Sequence, residues 1–287
     1  MNGRFKGRLA GVIVLTALVG ALLGAIAGYA YVEAQRAMKR SEARALAYSH
    51  AQRLAQRLQE ALGPAYMLAS LVQQGDGKLD NFEAVAVDLM AQFPMARAVE
   101  LAPRGVVTKV FPLPGNESII GHDLLQDRNR NREAHLAVAR KQLTLAGPFE
   151  LLQGGLGAVG RYPIFRYHRD GHQDFWGFSI VLIRVPELLS AAGFLQFRSK
   201  GYSYEICKVQ VDEGGCTVFS RQGVEPLDDP IAADVDVPNG KWILSVAPDR
   251  GWIPAFDWII LALTALGVGI LLGTLQYVLL TRLPAKS

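Results

Sequence analysis

LAGPFELLQGGLGAVGRYPIFRYHRDGHQDFWGFSIVLIR, residues 145–184, reads as three successive strands. Apolar, aromatic and β-branched residues concentrate over Leu145–Gln153, Val159–Tyr167 and Asp174–Arg184, with a glycine-rich connection between the first two. Pro186–Ala192 follows as a short helix. Upstream, Asp127–Gln142 reads as a helix, and the short strands Ala98–Leu101 and Val106–Phe111 flank Pro103-Arg104-Gly105, a hairpin signal. Asn81–Phe93 is helical, with apolar residues at Phe82, Val85 and Leu89, and it follows a turn at Gly75-Asp76-Gly77. One or two helices ahead of a mostly antiparallel sheet is an α+β order. Later strands around Tyr202–Ser220 and Trp242–Val246 predict a second, smaller lobe.

Two uncharged runs bracket these elements. Residues 9–32 and, following Asp257, 258–280 are each long enough to cross a hydrocarbon core of roughly 30 Å as a helix, and the second span is taken as 257–280. Arg4, Lys6 and Arg8 precede the first run, and Arg282 and Lys286 follow the second, so the positive-inside rule places the tails 1–8 and 281–287 in the cytoplasm. The expected location is the cell inner membrane, with two spans and the intervening domain periplasmic or extracellular. The net charge of +4 resides in those five tail cations, which leave the remainder at −1. That balance gives no footprint for nucleic acid. Ala25-Ile26-Ala27 offers a signal-cleavage alternative, but the apolar run is long for a signal and favours an uncleaved anchor.

Between the spans, residues 33–72 form a predicted stalk helix, and 73–253 the body of the domain, with a core at about 80–200. Ala43, Ala47, Leu54, Leu58, Ala61, Ala65, Leu68 and Val72 recur at spacings of three and four, and His50 fills the missing step. Such a seam packs either on a partner helix or on its own domain. Gly20, Gly24 and Gly28 share one face of the first span, and Gly269 and Gly273 share one face of the second. These faces permit close approach, either within the chain or between two copies, and a homodimer is the expectation. Cys207 and Cys216 flank a hairpin turn at Asp212-Glu213-Gly214-Gly215; they form either a cross-strand disulfide, which an oxidising compartment permits, or two buried thiols.

Chemistry-bearing motifs are sparse. Gly155-Leu156-Gly157-Ala158-Val159-Gly160 matches a dinucleotide fingerprint on paper, yet Arg161-Tyr162-Pro163 follows, and a strand containing proline cannot supply the helix terminus that receives a pyrophosphate. His50, His122, His135, His168 and His172 show no ligand spacing, so no metal or cofactor is expected. His122-Asp123 are adjacent and do not make an acid–base pair; an aspartate there reads as a cap. No catalytic set emerges, and the chain is not read as an enzyme.

Several motifs in order carry a resemblance: Phe111-Pro112-Leu113, Gly115-Asn116-Glu117, Gly121-His122-Asp123-Leu124, Gly147-Pro148-Phe149, Leu152-Gln153-Gly154-Gly155, Arg161-Tyr162-Pro163-Ile164-Phe165 and Phe175-Trp176-Gly177-Phe178. Over roughly residues 80–200 the chain resembles the CHASE sensor family. The resemblance implies a PAS-like α+β sensor between two transmembrane helices, with a long stalk helix, a distal antiparallel-sheet lobe that holds a small-molecule ligand, and a smaller membrane-proximal lobe. Aligned with plant cytokinin receptors, the pocket strand covers Ala146, Phe149 and Leu152, the adenine-binding acidic position falls on Arg130, and a pocket threonine falls on Arg161. Two cations in those places suit an anionic ligand rather than a purine. Family members feed a histidine kinase or a cyclic-nucleotide enzyme, whereas this sequence ends at Ser287. The chain is therefore expected either to be part of a longer sensor or to signal to a separate partner. A membrane scaffold with a vestigial pocket is the alternative.

Overall fold

Helix α1 runs from Gly3 to Gln74 and continues through Pro64. Its Ala, Leu, Gln and Arg content favours helix throughout. The computed structural model describes residues 3–128, 131–151, 154–168, 170–210, 214–253 and 255–282. They fall into two compact units, Leu46–Val246 and the paired segments Met1–Ala45 and Ala247–Ser287.

In the unit Leu46–Val246, helix α2 spans Phe82–Gln92, and strands β1 (Ala96–Pro103) and β2 (Lys109–Phe111) form the expected hairpin. Helix α3 (Arg132–Arg140) is shorter than the predicted Asp127–Gln142. Before it, Asp123 Oδ1 accepts the Leu125 and Gln126 amides, which holds the chain in a side-chain-capped turn. Strands β3 (Thr144–Glu150), β4 (Leu156–Tyr167) and β5 (Gln173–Arg184) complete an antiparallel sheet in the order β2-β1-β5-β4-β3.

The seam of α1 lies against one face of this sheet. Leu54, Leu58, Ala61, Ala65, Leu68 and Val72 are all buried. A Cβ on Gly160 would stand 2.3 Å from Leu62 Cδ2, and Ser179 Oγ donates to the Ala65 carbonyl at 2.6 Å. Of the two readings of the seam, the one on its own domain describes this unit. His50 is buried as well, its ring nitrogens 2.9 Å from the Leu46 carbonyl and 3.3 Å from that of Gly193, and its ring against Phe197. Burial holds its pKa below the ordinary value.

Helices α4 (Val185–Ala191) and α5 (Gln196–Ser199) lead to β6 (Tyr202–Gln210), β7 (Gly215–Gln222), β8 (Ile231–Val237) and β9 (Gly240–Pro248). These form a second sheet in the order β7-β6-β9-β8. Strand β8, which the sequence reading did not include, alternates buried Ile231, Ala233 and Val235 with exposed Ala232, Asp234 and Asp236; the two aspartates are residues depleted in strands. A disulfide joins Cys207 to Cys216 across β6 and β7. Reducing it is expected to destabilise this sheet by about 2–3 kcal/mol, the loop-closure value for so short a ring, read as a lower urea midpoint with dithiothreitol present.

In the other unit, helix α6 covers Ala255–Arg282. It and the first part of α1 hold windows of mean hydropathy 2.3 and 2.5, only 11% buried. A soluble core helix would hide such surface, so both are candidate membrane spans. They meet along their glycines: a Cβ on Gly24 would stand 2.9 Å from Ala265 Cα, and one on Gly269 2.9 Å from the Ala17 carbonyl oxygen. These small-residue faces are thus occupied within one chain. Arg40 also packs over the Trp252 ring, 4.8 Å from its centroid.

Candidate functional site

The opposite face of the first sheet carries the site. Across its five strands, Val110, Glu100, Ile180, Arg161 and Thr144 stand in one row. Glu100 lies between Ala98 and Ala102 on β1, so alternation along the strand turns all three toward the same side. Ala98, Ala102, Phe178, Ile180 and Leu182 pack there with Ala134 and Ala137 of α3, forming a closed apolar layer. Thr144 Oγ donates to the Glu133 carbonyl at 2.8 Å and ties β3 to α3.

Two charged side chains are embedded in this layer. Glu100 is 3% exposed and Arg161 2%. Burying such groups costs several kcal/mol each unless they are paired and hydrogen-bonded, so packing alone gives no reason to keep them. Burial pushes the Glu100 carboxyl up to about 7, while the nearby Arg161 charge draws it down. At neutral pH this carboxyl therefore sits between its protonated and ionised forms. A buried titratable group with one specific charged neighbour marks a functional-site candidate.

Ala146, Phe149 and Arg161 all stand on this face; Phe149 packs at the edge of the apolar layer, opposite Gly157. Arg130 and Leu152 lie outside the described residues. Sequence reasoning missed Glu100. Its signal was a single carboxylate among the apolar buried residues of β1, whose other charged residue, Arg97, is exposed. What it changes is the charge of the site, because Arg161 faces an acid rather than acting only as an added cation. His122 Nε2 is 3.4 Å from Asp127 Oδ2, and both are partly buried at the rim of a turn. Among the described residues no cluster of three or more His, Cys, Asp or Glu is placed to hold a metal.

A five-stranded antiparallel sheet with α1 on one face, and α3 and the buried Glu100–Arg161 row on the other, lies in the sequence between two candidate membrane spans. The CHASE domain family matches residues 35–214, more than half of the chain, and the chain belongs to that family. In fold it is similar to an extracellular ligand binding receptor from Desulfohalobium retbaense DSM5692, at a TM-score of 0.53 and 15% identity over 69% of this chain. The match spans 38% of that receptor's length. A structure of Methyl-accepting Chemotaxis protein X aligns at a TM-score of 0.37 and 12% identity, over 76% of this chain and 97% of its own. None of the curated proteins matches the chain.

Proposed function

We propose that the chain is a non-enzymatic membrane sensor that binds a small anionic ligand beside Arg161 and passes the change through its spans to a cytoplasmic output module. The observation that supports this reading is the buried row Glu100–Ile180–Arg161. The basic tails support an orientation with both termini in the cytoplasm and the domain outside. A ligand moves such a protein only by binding one of its states more tightly than the other. Opening the layer between α3 and the sheet is the state that would admit it. Pairing of two copies would have to use surfaces other than the glycine faces.

Glu100 gives the reading a pH signature. An anion beside Arg161 favours the protonated carboxyl, so binding takes up a proton. Affinity should rise as pH falls toward 7, by up to about tenfold per unit above that value, and level off below it. Glu100→Gln should abolish the slope. The test is a thermal-shift screen of the full chain in nanodiscs at pH 6 and pH 8, against small carboxylates, phosphates and adenine derivatives. An anion that stabilises the protein more at pH 6, and loses its effect in Arg161→Gln, supports the proposal. A zwitterion whose amine uses ionised Glu100 would bind more tightly at pH 8 and would replace the anion with a different ligand class. Absence of any hit, with stable co-purification of a protein partner, would favour a scaffold.

A further inference from the structure

Edge strand β3 and helix α3 meet the second sheet around a cavity of about 280 Å3. The proposed sensing site makes no use of it. At about 30 Å3 per molecule it would hold roughly nine waters, which is near the lower end of the volumes of small-ligand sites.

Its walls differ in chemistry. Phe219 and Trp242 form an apolar side; their rings meet edge to face at 4.9 Å, and Trp242 is 1% exposed, so packing fixes its position. Arg132, Glu133, Lys208 and Lys241 form the other. Lys208 Nζ is 3.6 Å from Glu133, and Lys241 Nζ is 2.7 Å from Asp234. The described lining carries three cations and one carboxylate, Glu133, while Asp234 and Asp236 stand beside Lys241. Strand β3 bulges beside this space, because its ladder with β4 skips between Ala146 and Phe149 and leaves Gly147 and Pro148 out of register at the cavity wall.

We propose that this cavity is a second ligand site, separate from the Glu100–Arg161 row, for a small organic anion with an apolar body: a carboxylate held by Lys208 and Lys241, its body against Trp242. Ammonium groups hold a carboxylate through charge-assisted hydrogen bonds, and the rigid aromatic wall selects against anions that are polar all round. A ligand here touches both sheets.

The probes are benzoate, its uncharged counterpart benzamide, and inorganic phosphate, titrated into the full chain in nanodiscs. Benzoate is expected to raise the melting temperature saturably, and benzamide and phosphate to do so far less. The double variant Lys208→Gln/Lys241→Gln should weaken benzoate by about tenfold to a hundredfold, as loss of a charge-assisted hydrogen bond does. These side chains are 32% and 46% exposed, so the variant's unliganded melting temperature serves as the folding control. Trp242→Phe should retain binding but lose the fluorescence response. Benzoate binding the double variant as tightly as wild type, or not binding wild type, overturns the proposal. So does binding that survives in the double variant and disappears in Arg161→Gln, which would assign the anion to the first-sheet row. Loss in the double variant with Arg161→Gln unaffected supports the cavity whether or not the sensing proposal holds.

Discussion

Gly177→Ala is expected to destabilise the domain by about 3–5 kcal/mol, a large fraction of the roughly 5–15 kcal/mol that holds a typical domain folded. Gly177 lies on the central strand β5 with φ +151, a region that L side chains rarely adopt. A Cβ there would stand 2.2 Å from the Ala102 carbonyl oxygen and 2.8 Å from Pro103 Cα. Both obstacles are backbone of the neighbouring strand, so no side-chain rotation relieves them. The close approach has a local cause: beside Gly177 the β4–β5 register shifts, and the Trp176 carbonyl accepts the Arg104 amide at 2.7 Å. Gly171→Ala is the control. Gly171 also has positive φ, +83, but nothing lies within 4 Å of its would-be Cβ, so the loss should be near 1 kcal/mol. Urea unfolding of both variants measures the difference, and equal losses would mean that the strand contact is not what demands glycine at 177.

Arg161→Ala should have the second large effect, and its size should depend on pH. In wild type the folded state holds the Glu100 proton up to about 7, against an ordinary value of 4.5. The folded state therefore binds more protons than the unfolded one between those values, and stability falls as pH rises through the window, by about 3 kcal/mol in all. Arg161 limits that loss by favouring the ionised carboxyl. Without it, the Glu100 pKa climbs further and the downward slope extends past pH 7. Arg161 acts on Glu100 across Ile180 through its charge alone, so the loss should be larger at pH 8, where the carboxyl is ionised, and distinctly smaller at pH 5, where Glu100 is neutral. A denaturation series from pH 5 to 8 decides this; a penalty identical at every pH would disprove coupling between the two residues. Glu100→Gln should flatten the wild-type slope over the same range.

The elements and their inward faces were largely readable from the chain alone. The three-and-four spacing from Ala47 to Val72 identified α1, the runs at 145–184 identified β3 to β5, and the apolar segments at 9–32 and 257–280 identified the candidate spans. These signals are local: period, turn residues and apolar length record which side of each element leaves water. What each side meets is not local. The α1 seam reads the same whether it packs on a partner or on Gly160 and Ser179, and the span glycines read the same whether they meet a second copy or one another. Glu100 and Arg161 lie on different strands and share one row, on either side of Ile180, only because β5 pairs with both β1 and β4. The cavity at Trp242 exists only where β3 and α3 meet the second sheet. Sequence by itself determined the two candidate spans, the long first helix and the α+β class, because each follows from the residues within one element. Tertiary structure alone decided the charge of the site and the partners of the buried faces, because both depend on which distant elements share a layer.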